Sequence, residues 1–308
     1  MHSSEITRRM LLQLTGGMVV TSILDPKLAF AIEQRMILRK IPRSGETLSA
    51  VGIGSYQTFD VASSQDRDQV REVLRLFGAM GGRLVDSSPM YGAAESVIGD
   101  ITTQLDTNRQ LFLATKVWTS GRAAGLQQAG QSMAHMRTHQ LDLLQVHNLL
   151  DADSHLPWMK DWKAAGKVRY LGVTHYQESS FAALEKYIHS GQVDFVQLNY
   201  SMAEPGAEDR LLPAAQAAGV AVIVNRPFAD AALFDRVKGR ALPEWAAEFD
   251  AQTWAQFFLK YILAHPAVTA AIPATRNPKH VLDNMSAGVG KLPDQAMRQR
   301  MLAFLNSV

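Results

Sequence analysis

Short apolar runs alternate with longer segments of helical periodicity along most of this chain. Each run is three to six residues long, which is typical of a strand buried on both faces. The sequence predicts eight such strands, at residues 50–53, 83–85, 111–114, 141–146, 169–173, 195–198, 220–224 and 269–272. The segments between and after them predict eight helices, at residues 65–80, 93–104, 121–138, 154–165, 178–189, 207–218, 252–264 and 278–287.

This alternation indicates parallel strands joined by crossover helices. Eight strand-helix units without a linker favour a single-domain α/β fold, the (β/α)8 TIM barrel. A doubly wound open sheet is the alternative, because it shows the same alternation. Residues 35–40 and 46–48 flank a Pro-Arg-Ser-Gly turn and predict a short N-terminal hairpin. Residues 230–250 are expected to form a long irregular connection of the kind that often borders a substrate pocket.

The composition excludes several classes of function. Hydrophobic residues make up 47% of the 308 positions, which is enough for a large core. The net charge is +2 and no block of like charge occurs, so a nucleic acid is not expected as a partner. The absence of cysteine excludes disulfides, thiolate metal sites and cysteine nucleophiles.

The N-terminus has the three parts of a cleavable export signal in the right order. Arg8 and Arg9 precede a moderately apolar stretch at residues 10–24, and the segment ends in Ala29-Phe30-Ala31. The arginine pair resembles the twin-arginine type, so we expect export by that machinery, cleavage near Ala31 and a periplasmic protein of residues 32–308. The stretch is too short and interrupted for a stable membrane span. An ordinary amphipathic N-terminal helix is the alternative.

Polar residues follow three of the predicted strands, at the barrel end where such enzymes carry their chemistry. They are Asp86, Lys116 and His147, and Tyr91 lies in the loop after Asp86. A lysine that ends a buried strand needs a compensating charge, and Asp86 on the neighbouring strand can supply it. The lysine cation is expected to lower the pKa of Tyr91 from its ordinary value of about 10, and His147 could hydrogen-bond a substrate oxygen.

The residues around these positions resemble the aldo-keto reductase family. Asp86, Tyr91 and Gly92 match its D-x4-Y-G signature, and the E-x2-[IL]-G motif follows at residues 95–99. Further similar blocks surround Lys116 and His147 and occur at residues 167–174, 196–201, 272–275 and 283–284. The resemblance spans about residues 36–290, nearly the whole chain after the export signal.

The resemblance implies reversible hydride transfer between a nicotinamide cofactor and a small-molecule carbonyl compound. Tyr91 would be the general acid, Lys116 and Asp86 would tune it, and His147 would position the substrate. The cofactor would lie extended across the barrel mouth without a Rossmann fold. In agreement, Gly52 and Gly54 are not followed by the third glycine of that fingerprint, because residue 57 is Gln.

The resemblance also implies a cofactor site built from the second half of the barrel. Its residues would be Thr174, His175, Gln197, Asn225, Arg226, Pro227, Thr275, Arg276, Lys279, His280, Asp283 and Asn284. Four positions depart from the family pattern, with Thr174 and His175 replacing Ser-Asn, Asn225 replacing a Tyr that often stacks on nicotinamide, and Ala274 replacing a 2′-phosphate-binding Lys. Arg276, Lys279 or His280 could supply the missing charge, so NADPH is favoured and NADH is the alternative.

Two other functions compete with the reductase. A catalytically idle barrel that binds a nucleotide or a partner is supported by the changes on the nicotinamide side and by the export signal, since NADPH is not renewed freely outside the cytoplasm. The complete Asp-Tyr-Lys-His set argues against it. A metal-dependent hydrolase is disfavoured, because no H-x-H or H-E-x-x-H spacing occurs and no metal site is expected.

Overall fold

A computed structural model describes residues 36–308, and its central feature is a sheet of eight parallel strands. Two short strands precede it, β1 (Leu38–Lys40) and β2 (Thr47–Ser49), which pair antiparallel as the predicted hairpin. The sheet strands are β3 (Ile53–Gly54), β4 (Leu84–Asp86), β5 (Phe112–Val117), β6 (Leu141–His147), β7 (Val168–Thr174), β8 (Phe195–Asn199), β9 (Ala221–Asn225) and β10 (Val268–Ala271). Their order in the sheet follows their order in the chain.

The sheet closes into a barrel where its first and last strands meet. Val51 bridges Ala271 and Gly54 bridges Ala274, both in parallel orientation. A Cβ atom on Gly52 would lie 2.9 Å from the carbonyl oxygen of Leu84, so a residue without a side chain is needed for this close approach. The predicted (β/α)8 barrel is therefore confirmed, and the open doubly wound sheet is excluded.

Helices cover the outside of the barrel. They are α1 (Ser64–Ala79), α2 (Ala94–Gln104), α3 (Arg122–His135), α4 (Ala152–Ala164), α5 (Phe181–His189), α6 (Leu211–Ala218), α7 (Ala232–Arg236), α8 (Trp254–Leu263), α9 (Pro278–Ser286) and α10 (Gln295–Asn306). The eight predicted helices correspond to all of these except α7 and α10. The prediction of an irregular connection at 230–250 is wrong in part, because α7 and a 3-10 helix (Glu244–Phe249) form there around the buried side chains of Leu233 and Phe249.

The hairpin closes the N-terminal end of the barrel. Ile41, which follows β1, and Leu48 of β2 are buried in one cluster with Phe112, Tyr170 and Phe195 from inside the barrel. The three aromatic rings contact one another with centre separations of 5.5–5.9 Å. This end is filled by apolar side chains, which leaves the opposite end, where the strands finish, for polar chemistry.

The predicted export signal at residues 1–31 lies outside the residues that the structure describes. Cleavage near Ala31 and a periplasmic location therefore stay predictions. Within residues 36–308, none of the helices has the length and apolar character that crossing a membrane requires.

Candidate active site

Three neighbouring strands bring the four predicted reactive residues together. Asp86 ends β4, Lys116 is the second-last residue of β5, and His147 ends β6. These strands continue one to three residues beyond their predicted ends, because the polar side chains point into the barrel mouth while the backbone continues the parallel ladder. Tyr91 follows β4 in a turn, where its backbone N–H donates to the carbonyl oxygen of Ser88 at 3.0 Å.

Lys116 is completely buried, and its charge is fully compensated. Its Nζ donates to Asp86 Oδ2 and to the carbonyl oxygen of Ser87, each at 2.6 Å. The second carboxylate oxygen of Asp86 accepts from the amide groups of Gln145, at 3.1 Å, and Gln197, at 2.9 Å. A buried ion pair is stabilised when its remaining donors and acceptors are also hydrogen-bonded, and here Ser87, Gln145 and Gln197 supply three further hydrogen bonds.

Gln145 is a site residue that the sequence analysis missed. It is buried in β6, two positions before His147. Residues i and i+2 of a strand point to the same face, so the spacing of Gln145 and His147 could have predicted that both side chains face the site. Gln145 is expected to hold the orientation of Asp86 rather than to touch a substrate.

Tyr91 lies beside the lysine, whose Nζ is 5.1 Å from the centre of the phenol ring. Burial raises the pKa of Tyr91 above its usual value, and the Lys116 cation opposes this shift. The expected net lowering is therefore wrong, because desolvation outweighs the lysine. For Lys116, burial acts to lower the pKa, but Asp86 and Tyr91 together raise it above the usual value. The site thus holds a neutral phenol next to a permanent cation.

His147 is held against both Tyr91 and the loop that carries it. The two rings meet edge to face with centres 5.7 Å apart. The Nδ1 atom of His147 lies 2.9 Å from the hydroxyl oxygen of Ser88. Burial, together with the nearby Lys116 and His175, lowers the pKa of His147 to about 2. The imidazole is therefore neutral across the physiological pH range.

A collar of exposed apolar side chains surrounds these residues. The loops after β3, β4, β5, β6 and β7 each contribute one, namely Tyr56, Met90, Trp118, Leu150 and Tyr176. The ring of Tyr56 is 5.0 Å from that of Tyr91, and the ring of Trp118 is 6.5 Å from that of His147. Apolar walls around a few polar groups are typical of a small-molecule site. The sequence analysis did not single out these residues.

Thr174, Gln197 and Asn225, from β7, β8 and β9, form a polar cluster next to Asp86. The amide oxygen of Gln197 accepts from the Thr174 hydroxyl at 3.2 Å and from Asn225 Nδ2 at 3.4 Å. Because Gln197 also donates to Asp86, the cluster adjoins the ion pair directly. Asn225 Oδ1 is buried and has no hydrogen-bond partner within residues 36–308.

His175, Arg226 and Pro227 border this cluster. The ring of His175 stacks on Tyr176 with the planes 8° apart. Arg226 donates to the carbonyl oxygen of Tyr176 at 3.0 Å and pairs with Asp230 at 2.9 Å, and Pro227 is buried beside it. The charge of Arg226, which was predicted as a cofactor-site residue, is therefore already engaged by these neighbours.

The remaining predicted cofactor residues lie in α9 and in the loop just before it. They are Thr275, Arg276, Lys279, His280, Asp283 and Asn284. Arg276 is half-exposed, with a guanidinium nitrogen 3.4 Å from Asp66. The Thr275 hydroxyl lies 3.5 Å from His280 Nδ1, and Asn284 is buried. Asp283 instead accepts from Thr253 and Gln256 at the start of α8, at 2.9 and 2.7 Å, and so joins the two helices.

The sequence matches one family over most of this barrel. The profile of the aldo/keto reductase family aligns with residues 50–300. The chain belongs to the aldo/keto reductase family. The resemblance that the D-x4-Y-G segment carries is confirmed. Within residues 36–308, no three His, Asp or Glu side chains come together in a way that could hold a metal ion.

Three similar proteins align with this aldo/keto reductase along most of their length. L-galactose dehydrogenase of Arabidopsis thaliana is 23% identical over 304 residues, which cover 88% of this chain and 93% of that protein. An aldo-keto reductase of Strobilurus tenacellus is 24% identical, with 83% and 88% covered. The crystal structure of an aldo-keto reductase from Klebsiella pneumoniae in complex with NADPH is 26% identical, covers 88% and 95%, and superposes with a TM-score of 0.72.

Proposed function

We propose that this aldo/keto reductase transfers hydride from NADPH to an aldehyde or ketone, with Tyr91 as the proton donor. The observation that carries the proposal is the buried Lys116–Asp86 pair beside the Tyr91 ring at the barrel mouth. A buried cation next to a neutral phenol serves proton transfer, because it stabilises the phenolate that forms when the proton leaves. The Klebsiella relative binds NADPH, which supports the same cofactor here.

The residues next to Asp86 fit a nicotinamide. Its carboxamide offers two N–H donors and one acceptor oxygen. Asn225 Oδ1 is a buried acceptor without a partner among the described residues, and the Thr174 hydroxyl can also turn toward a ligand. A buried acceptor without a donor is unfavourable by about 1–3 kcal/mol, and a carboxamide N–H could supply the missing hydrogen bond to Asn225 Oδ1. Thr174, Gln197 and Asn225 are therefore the residues that we assign to the carboxamide.

The start of α9 fits the phosphate-bearing end of the cofactor. The positive end of the helix dipole favours an anion near a helix N-terminus. Arg276, Lys279 and His280 add side chains that can carry positive charge in this region. Together they support a preference for NADPH, which carries a 2′-phosphate, over NADH.

The protein residues have distinct tasks in the proposed reaction. NADPH, when bound, supplies the hydride to the carbonyl carbon. Tyr91 donates its proton to the carbonyl oxygen, and Lys116 stabilises the phenolate that remains. Asp86 keeps Lys116 charged and in place. His147 is neutral and donates a hydrogen bond that orients the oxygen, while the apolar collar excludes water from the reacting atoms.

The proposal is tested by measuring NADPH oxidation by the purified full-length protein with a panel of aldehydes, ketones and quinones. Steady turnover of at least one compound is expected, with faster rates for substrates that have apolar or aromatic groups to contact the collar. Tight nucleotide binding without turnover of any compound would instead support the idle nucleotide-binding barrel. Absence of nucleotide binding would contradict the proposed function itself.

Arg276→Ala is expected to weaken NADPH binding more than NADH binding. The 2′-phosphate loses one charge-assisted hydrogen bond, so the Kd for NADPH should rise about tenfold. The Kd for NADH should change less than about twofold, because NADH lacks that phosphate. Fluorescence titration of both nucleotides measures the effect. Arg109→Ala, at the opposite end of the barrel, is the matched control, and equal weakening of both nucleotides by Arg276→Ala would contradict the assignment.

A further inference from the structure

The contact between Ser88 and His147 is not used in the mechanism above. Ser88 is completely buried, and its Oγ lies 2.9 Å from His147 Nδ1. The same oxygen accepts a weaker hydrogen bond from the backbone N–H of Met90, at 3.4 Å. Nε2, on the other edge of the imidazole, makes no hydrogen bond within residues 36–308. The two nitrogens of the His147 ring thus differ, because Nδ1 contacts a buried hydroxyl whereas Nε2 is available to a ligand.

The hydroxyl proton of Ser88 determines which nitrogen of His147 carries hydrogen. Only His147 Nδ1 can accept that proton, because the other partner of Ser88 Oγ, the N–H of Met90, is a donor. If Nδ1 were protonated, it would donate to Ser88 and leave a buried hydroxyl proton without an acceptor. Such a group is unfavourable, which favours the opposite arrangement by about fivefold or more.

The positively charged imidazole, with hydrogen on both nitrogens, is disfavoured by the same loss of an acceptor for the Ser88 proton and by its buried surroundings. Both ring nitrogens would then be donors, so Ser88 would again have no acceptor for its proton. The ring is also buried near the Lys116 cation, and these two effects lower the pKa of His147 to about 2. Of the three states of the ring, only the neutral one with hydrogen on Nε2 satisfies every contact.

We infer that Ser88 is a positioning residue that holds His147 as the neutral tautomer with its proton on Nε2. Nε2 then presents an N–H donor next to Tyr91, whose ring centre is 5.7 Å from that of the imidazole. The two donors, the phenol of Tyr91 and Nε2–H, can bind one carbonyl oxygen together. The other tautomer would present a lone pair and repel that oxygen. The inference rests on the proposed reductase function for its consequence, but the tautomer itself does not depend on activity.

Nitrogen NMR of the full-length protein labelled with 15N-histidine tests the tautomer directly. The chain has nine histidines, so the His147 signals are assigned by their loss in His147→Gln. The expected spectrum shows a protonated Nε2 and an unprotonated Nδ1, unchanged between about pH 6 and pH 8 because the ring does not titrate there. A protonated Nδ1, or titration of His147 in that interval, would overturn the inference.

Ser88→Ala tests the consequence for the reaction. The variant removes only the hydroxyl, so His147 Nδ1 loses its donor and the N–H of Met90 loses its acceptor. Nδ1-protonated imidazole should become detectable, and kcat should fall about tenfold, the size of effect seen when an outer hydrogen bond to a functional histidine is lost. The Kd for NADPH should stay the same, since Ser88 does not face the polar cluster around Gln197.

Ser132→Ala is the matched control for this variant. Ser132 lies in α3, is buried like Ser88, and its hydroxyl has no hydrogen-bond partner among the described residues. Its removal should leave kcat and the His147 spectrum unchanged. Wild-type kcat in Ser88→Ala would overturn the positioning role. A wild-type protein that reduces no carbonyl compound would refute the reductase instead, and the nitrogen spectrum would still decide the tautomer.

Discussion

Tyr91→Phe is expected to lower the rate of carbonyl reduction about a thousandfold. The substitution removes one hydroxyl group and keeps the ring that packs against Tyr56 and His147. Loss of a positioned general acid reduces rates by about 10²–10⁴-fold, and no other phenol contacts the Lys116 ammonium among the described residues. NADPH oxidation with the best substrate of the panel measures the effect, under conditions that saturate the cofactor.

Nucleotide binding separates loss of chemistry from loss of structure in this variant. The Kd for NADPH should change less than about threefold, because no hydrogen bond joins Tyr91 to Thr174, Gln197 or Asn225 among the described residues. Tyr187→Phe is the matched control, since it removes a hydroxyl that donates to Asp153 on the outside of the barrel. Activity of Tyr91→Phe within tenfold of the wild type would exclude Tyr91 as the proton donor.

Lys116→Met is expected to be the most destabilising substitution in the site. It leaves the carboxylate of Asp86 buried with the amides of Gln145 and Gln197 as its only side-chain donors. Removal of one partner from a buried ion pair lowers the free energy of unfolding by about 3–5 kcal/mol. Denaturant-induced unfolding at neutral pH, followed by far-UV circular dichroism, measures this change. Carbonyl reduction should be lost together with stability.

A second substitution distinguishes the buried charge from lost packing. In Asp86→Asn/Lys116→Met the side chain at position 86 is neutral, so the uncompensated charge is absent. The double variant should therefore regain a large part of the stability that Lys116→Met loses, although it should stay inactive. If the double variant were no more stable than the single one, the loss would come from packing of the lysine stem rather than from its charge.

The repeating pattern of the sequence was sufficient to predict the barrel and three of the four polar residues that meet at its mouth. Each buried strand is a short apolar run, and Asp86, Lys116 and His147 interrupt three neighbouring runs at the same end. Parallel strands that close a barrel bring such ends together, so their convergence follows from the topology alone. Tyr91 has no periodic signal, because it lies in a loop, and it was singled out by its place in the loop that follows Asp86.

Properties that depend on contacts between distant segments could not be predicted from the pattern. The net pKa direction of Tyr91 depends on its degree of burial, which no local pattern encodes. Arg226 and Asp283 were expected to face the cofactor, yet they pair with Asp230 and with Thr253. Their residue types were compatible with either arrangement, so only the three-dimensional neighbours decide between cofactor binding and internal hydrogen bonding.

The apolar cluster that contains Ile41 and Leu48 determines the order in which ligands can bind. Because apolar side chains fill the N-terminal end of the barrel, every molecule that reaches Tyr91 enters and leaves through the opposite end. Thr174 and Gln197, which we assign to the carboxamide, are almost fully buried, whereas Tyr56 and Trp118 are about half exposed. A carbonyl compound that arrived first would obstruct the way to the deeper position. The nucleotide should therefore enter first and depart last.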